Sequence, residues 1–182
     1  MFSENEKIIL LRAARSAIED AITGKTSLLI KDVPQSLREP CGAFVTLHKE
    51  GELRGCIGYV EGIKPLIETV KDVAEKAALE DYRFSPVTED ELPKIEIEIS
   101  VLSPLKQIKS IDEIEVGKHG LIIEQGGYHG LLLPQVAAEY GWDKTTFLNQ
   151  TARKAGLSPE EWKNPKTKIF IFTAEIIKEG LK

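Results

Sequence analysis

Apolar residues recur at helical spacing from the start of the chain. Ile8, Leu11, Ala14, Ile18 and Ile22 fall on one face, Ser3 and Glu6 form an S-x-x-E capping box ahead of them, and Gly24 suits the stop. The pattern predicts a helix over 4–23. Residues 31–40, with Pro34 and Pro40, read as an extended connection. Two strand patterns follow, Ala43 to Leu47 and Leu53 to Tyr59. The polar stretch HKEGE between them makes the pair a β-hairpin. Pro65 suits a first helical turn, and Leu66, Val70, Val73, Ala77 and Ala78 share a face, which predicts a helix over 64–80. From Lys94 to Leu102 the alternation is strict. Ile95, Ile97, Ile99 and Val101 face one way, while Glu96, Glu98 and Ser100 form an exposed polar face.

The second half is less regular. Residues 105–116 read as connecting structure, with Ile108, Ile111 and Ile114 at threefold spacing. Leu121 to Glu124 and Gly130 to Leu133 flank GGYH, a second hairpin signal. Pro134 opens a short helix ending at Gly141, and Asp143 caps another over 144–155, closed by Gly156. Ser158 and Glu161 repeat the capping-box pattern around Pro159, and Lys168 to Ile177 reads as one closing strand. Interspersed helices with hairpin-connected strands define an α+β protein with a mostly antiparallel or mixed sheet and flanking helices. With no internal repeat and no long linker, residues 1–182 read as a single domain that begins with a helix over 1–24.

Composition narrows the class. An apolar fraction of 42% with 29% charged residues is enough to build a core. The N-terminal stretch MFSENEKIIL is too polar for a leader, no apolar run is membrane-length, and there are two cysteines, so a reducing, cytoplasmic setting is expected. A net charge of -5 argues against a general nucleic-acid binder. The charge is uneven, with residues 60–100 acidic and 141–182 basic. A basic edge gathers at Lys163, Lys166 and Lys168.

The candidate chemistry gathers at LRGCIGY, residues 53–59. Glycines weaken a strand, and inside one they mark a bulge or a close approach of another backbone or a ligand. In a regular strand Arg54 and Cys56 share a face about 7 Å apart. A guanidinium there favours the thiolate, which is the physical case for Cys56 as a nucleophile, redox thiol or metal ligand. The alternative is a small packing cysteine. Pairing Leu47 with Leu53 sets Cys41 opposite Tyr59 and about 10 Å from Cys56, beyond disulfide reach.

LRGCIG, preceded by GAFVTL and followed by ALEDYRFSPV at 78–87, VGKHGLIIE at 116–124, GLLLPQVAAEYGW at 130–142 and KAGL at 154–157, resembles the AMMECR domain family over roughly 41–177. The closest likeness is to the branch called AmmeMemoRadiSam system protein A. The resemblance implies an α+β body with a larger and a smaller lobe and LRGCIG lining a cleft between them. It also implies a cytoplasmic protein whose genes accompany those of a Memo-like protein and a radical SAM protein. It carries Arg54, Gly55, Cys56, Ile57 and Gly58 over as site residues, together with Asp81, Arg83 and Phe84. That second block usually reads D-P-R-F, and here Tyr82 replaces the proline. Relatives in this branch often carry a cysteine where this chain has Ala152, so a mechanism needing a second thiol there is in doubt.

Other residues complete the candidate set. His119 could serve Cys56 as a general base, or simply occupy a turn. Gln135 follows Pro134 at a helix start, where free N–H groups could hold an anion. His48, His119 and His129 with Cys56 match no compact zinc signature, and no phosphate-binding glycine motif is present, so neither a metal nor a cofactor is expected. Trp142 and Trp162 read as packing residues. Three functions remain open: a small-molecule enzyme using Cys56 with Arg54, a non-catalytic module docking on the Memo-like and radical SAM proteins, and a nucleic-acid-related regulator. The enzyme reading leads.

Overall fold

The computed structural model describes residues 1–26, 30 and 32–180. Helix α1 spans Glu4–Thr23. Its predicted capping box is formed, with the Ser3 side chain accepting from the Glu6 N–H and the Glu6 carboxylate accepting from the Ser3 N–H, and Gly24 closes it in the left-handed region. Of the predicted extended stretch, residue 31 lies outside the described residues, and Gln35–Arg38 forms a 3-10 turn. Strands β1 (Ala43–Lys49) and β2 (Glu52–Tyr59) pair antiparallel through a two-residue turn, Glu50-Gly51. Both turn residues have positive φ, the geometry that matches the twist of a tight hairpin. Helix α2 is Leu66–Leu79, with Pro65 at its N-cap rather than in its first turn. Strand β3, Ile95–Leu102, pairs with β1.

The rest of the chain adds β4 (Lys106–Gln107), β5 (Gly120–Gln125), β6 (Tyr128–Leu132), α3 (Pro134–Glu139), α4 (Lys144–Lys154), β7 (Lys168–Phe172) and β8 (Ala174–Lys178). There are two four-stranded sheets, ordered β2-β1-β3-β8 and β4-β7-β5-β6, and the chain divides into two units. The first is Met1–Leu102 with Glu175–Lys182, and the second is Ser103–Ala174. The α+β class with antiparallel pairing and flanking helices is the one expected. The closing strand is not. Lys168 to Ile177 is split at Thr173, so β7 belongs to one sheet and β8 to the other. Apolar patterning cannot reveal this break. What holds it is a pair of reciprocal bonds: the Ser103 N–H donates to the Thr173 carbonyl, and the Thr173 N–H donates to Ser103 Oγ, each at 2.9 Å.

In the first unit α1 and α2 pack together, and Leu10, Ala14 and Ile18 of α1 join Val70, Val73 and Ala77 of α2 over Val45, Leu47, Ile97 and Ile99. The opposite face of this sheet departs from expectation. Glu96 is exposed, but Glu98 is 8% exposed and Ser100 is 1%. Lys178 Nζ lies 2.8 Å from Glu98 Oε2, which gives the buried carboxylate a cation. Register sets Thr46 between Cys56 on β2 and Glu98 on β3, so a polar row crosses this face. In the second unit Leu121, Ile123 and Ile171 pack against Phe147, Leu148 and Ala152. Ile108 and Ile114 are buried there too. Asp143 caps α4, accepting from the Thr146 N–H at 2.7 Å. The second predicted capping box does not form. Pro159–Lys163 is a 3-10 turn, and the Glu161 carboxylate accepts from Gln125 and Asn164 instead. No helix among the described residues is long and apolar enough to cross a membrane.

Candidate functional site

The site is built at the edge strand β2. Its register is shifted from the simplest hairpin pairing by a bulge. Leu47 pairs with Gly55 and His48 with Leu53, so Arg54 has no partner across the ladder. Beyond the bulge, Thr46 stands opposite Cys56, and Thr46 Oγ1 is 3.2 Å from Cys56 Sγ. Cys41 is a free thiol too. Its Sγ donates to the Leu102 carbonyl at 3.1 Å, and burial pushes its pKa up.

The bulge sends Arg54 to a carboxylate. Its Nε and one terminal nitrogen donate to Glu91 at 3.1 and 2.9 Å, and further bonds reach the carbonyls of Ser85 and Pro86. Lys49 adds a second cation at 2.7 Å. The Arg54 guanidinium, followed by the Lys49 ammonium, holds the Glu91 carboxyl far below the usual carboxylate range. Arg54 thus ties β2 to the 85–91 segment.

The guanidinium coupled to Cys56 is that of Arg83. Asp81, just past the end of α2 and 5% exposed, accepts the Cys56 N–H on Oδ2 at 2.9 Å. The same oxygen accepts from a terminal nitrogen of Arg83 at 2.6 Å, while Oδ1 accepts from Arg83 Nε at 2.9 Å and from the Arg83 N–H. The bidentate Arg83 pairing, supported by the Cys56 and Arg83 backbone N–H groups, lowers the Asp81 pKa to about 2. Arg83 responds in the other direction. Its pKa is raised chiefly by Asp81 and in smaller part by the nearby Cys56 thiol. The Phe84 ring lies 5.4 Å from the guanidinium carbon. The Arg83 side chain remains 43% exposed, and among the described residues its other terminal nitrogen makes no hydrogen bond.

A pH dependence follows. Because the Asp81 pKa is lower folded than unfolded, the stability it contributes is complete above the ordinary carboxylate range and is lost as pH falls toward about 2. Urea unfolding from pH 6 to pH 2.5 should show Asp81→Asn, already weakened at pH 6, losing less further stability on acidification than the parent. Equal losses would mean that Asp81 is not held as a carboxylate.

The glycines of the motif receive structural reasons that the sequence did not reveal. A Cβ at Gly55 would run into the carbonyl oxygen of Ala77 in α2, and one at Gly58 into the Phe44 ring and the Ala43 carbonyl. Ile57 and Tyr59 pack against the core of the first unit. Tyr59 Oη donates to Asp72 at 3.0 Å and accepts from Lys76.

Thus Cys56, Asp81 and Arg83 come together, with Phe84 beside Arg83. His119 and Gln135 belong to the second unit. His119 is buried and its Nδ1 accepts the Glu115 N–H at 3.1 Å, so in the neutral ring the proton sits on Nε2. Gln135 is half-buried in the first turn of α3, a helix of six residues. Trp142 and Trp162 pack against the core of the second unit. Among the described residues no group of three or more His, Cys, Asp or Glu is arranged to hold a metal ion. Thr46 and Glu91 were missed. Thr46 sits in an alternating run where only the correct register reveals its neighbour, and Glu91 carries no spacing signal toward Arg54.

Two four-stranded antiparallel sheets with helices, and a thiol on an edge strand backed by an Asp–Arg pair, define the class. The sequence model of the AMMECR1 family matches residues 11–177, and the chain belongs to that family. It is 46% identical to a protein of Methanothermobacter thermautotrophicus over 97% of this chain and 96% of that one. A protein of Thermococcus gammatolerans is also 46% identical, over 93% of this chain and 88% of its own. The crystal structure of the uncharacterised protein PH0010 from Pyrococcus horikoshii superposes with a TM-score of 0.92 at 43% identity, covering 98% of this chain and 93% of that one.

Proposed function

We propose that the protein is a small-molecule enzyme in which Cys56 acts as a nucleophile and Arg83 anchors an anionic group of the substrate. The observation that carries this reading is the Asp81 carboxylate. One of its oxygens holds both the Cys56 N–H and the Arg83 guanidinium, so the thiol-bearing residue and an exposed cation share one buried anchor. An exposed guanidinium fixed on one edge is pre-organised to take a carboxylate or phosphate with the other. In the step this allows, the Cys56 proton leaves to solvent, the sulfur forms a bond to an electrophilic carbon of the substrate, and the electron pair displaced from that carbon leaves with its leaving group.

The test is alkylation of Cys56 in the native full-length chain carrying Cys41→Ser, followed by mass spectrometry. Cys56 should react faster than the same thiol in the urea-unfolded chain at the same pH. A native rate equal to or below the unfolded one would overturn the reading. The second reading, a docking module for Memo-like and radical SAM partners, leaned on glycines that leave room for a foreign backbone. At Gly55 and Gly58 the space a Cβ would fill is taken by Ala77, Phe44 and Ala43 of this chain.

A further inference from the structure

The second unit carries a polar cleft of about 370 Å³ that the thiol chemistry does not use. One wall is the end of the β5–β6 hairpin, and the other is the segment leading into β7, which supplies Lys166 and Lys168. Both walls are fixed by one carboxylate. Glu161 Oε1 accepts from Gln125 on β5 at 2.8 Å and from Asn164 at 2.7 Å. Asn164 Oδ1 then accepts the Lys166 N–H at 2.9 Å, its carbonyl accepts the Thr167 N–H, and Thr167 Oγ1 donates back to the Glu161 carbonyl. The backbone from which Lys166 projects is therefore ordered by four hydrogen bonds and tied to the hairpin opposite.

The lysines of this unit differ in their partners. Lys106, Lys118 and Lys163 each pair with a nearby glutamate. Lys166 and Lys168 form no ion pair among the described residues, although they line a concave surface. His129 joins them, and the turn residues Gly126 and Gly127, with φ of 56° and 91°, place their N–H groups beyond the last ladder pair, Gln125–Tyr128. The one carboxylate lining the cleft is Glu124, which register sets between His129 and Lys168. Two lysines against one carboxylate leave the lining with a net positive charge, which attracts any anion in proportion to its charge, so a ligand with two negative charges gains about twice what a singly charged one does. The volume is that of a small-molecule site.

We infer that this cleft is a binding site for a small phosphate-bearing molecule, with Lys166 and Lys168 contacting the phosphate and the Gly126-Gly127 turn donating N–H groups. The inference uses no property of Cys56. The probe is inorganic pyrophosphate, titrated into the isotope-labelled full-length chain at low salt while the amide resonances of Gly126, Gly127 and His129 are followed. Saturable shifts at these residues are expected. Binding should weaken about tenfold or more in the Lys166→Gln/Lys168→Gln variant and weaken on adding salt, and it should tighten in Glu124→Gln. Because all three residues are exposed, these variants keep the fold, which the unchanged remainder of the spectrum verifies. The inference is overturned if pyrophosphate produces no saturable shift at the hairpin or if the lysine variant binds as well as the parent. Saturation by an oligonucleotide while pyrophosphate fails would overturn it too.

Discussion

Gly55→Ala is expected to destabilise the protein by about 3 kcal/mol or more, the upper range for forcing an extra carbon into a packed interior. The added Cβ would meet the Ala77 carbonyl oxygen. That oxygen belongs to a helix and cannot rotate aside as a side chain can. Relief requires β2 to move off α2, which disturbs Ile57 and Tyr59 in the core and lengthens the bond from the Cys56 N–H to Asp81. Against a typical total of roughly 5–15 kcal/mol, this is a large fraction. The measurement is the urea midpoint at unchanged m-value. Gly51→Ala is the comparison, because its Cβ would meet nothing within 4 Å and only the positive φ is at issue. If the two variants lose the same stability, Gly55 is conserving backbone freedom rather than making room for the helix.

This contrast shows where sequence reasoning ran out. Helix α1 was legible to the residue because its signals are local: a capping box, a 3.6-residue period and a closing glycine. The alternation of β3 was equally clear, yet Glu98 looked like any solvent-facing residue, because burial of a polar strand face depends on what covers it and not on its own pattern. Register was the decisive miss. Pairing Leu47 with Leu53 would set Thr46 opposite Arg54, and it kept Arg54 on the face of Cys56. The two-residue turn shifts this pairing by one position and the bulge by one more, so the partner of Thr46 is Cys56 and Arg54 bonds Glu91. With this register Arg54 is bonded to Glu91, and the guanidinium that shares a carboxylate with Cys56 is that of Arg83. The Asp81–Arg83 pair was legible as a motif, but its link to Cys56 was not, because the two lie 25 positions apart across a hairpin end and a helix.

That reassignment leads to a charge-selectivity experiment on the full-length Cys41→Ser chain. Iodoacetamide and iodoacetate both transfer a methylene carbon to Cys56 with loss of iodide, and they differ in that only the second carries a carboxylate. With Arg83 and the Cys56 N–H on one oxygen of Asp81, and one terminal nitrogen of Arg83 without a hydrogen bond among the described residues, native Cys56 should favour iodoacetate relative to the unfolded chain. Arg83→Gln should lower the iodoacetate-to-iodoacetamide rate ratio about tenfold, the effect of one charge-assisted contact. The iodoacetamide rate should fall much less, which separates lost anchoring from lost thiol reactivity. Arg54→Gln provides the contrast. Its four bonds go to Glu91, Ser85 and Pro86, so its loss should appear first in stability, through a Glu91 carboxylate that keeps Lys49 and Thr88 but loses its guanidinium. If Arg54→Gln rather than Arg83→Gln removes the preference, the anchoring cation is Arg54, and the geometry around Asp81 serves the fold instead. If neither variant changes the ratio while Cys56 stays reactive, the thiol acts on neutral substrates and Arg83 has no part in recognising them.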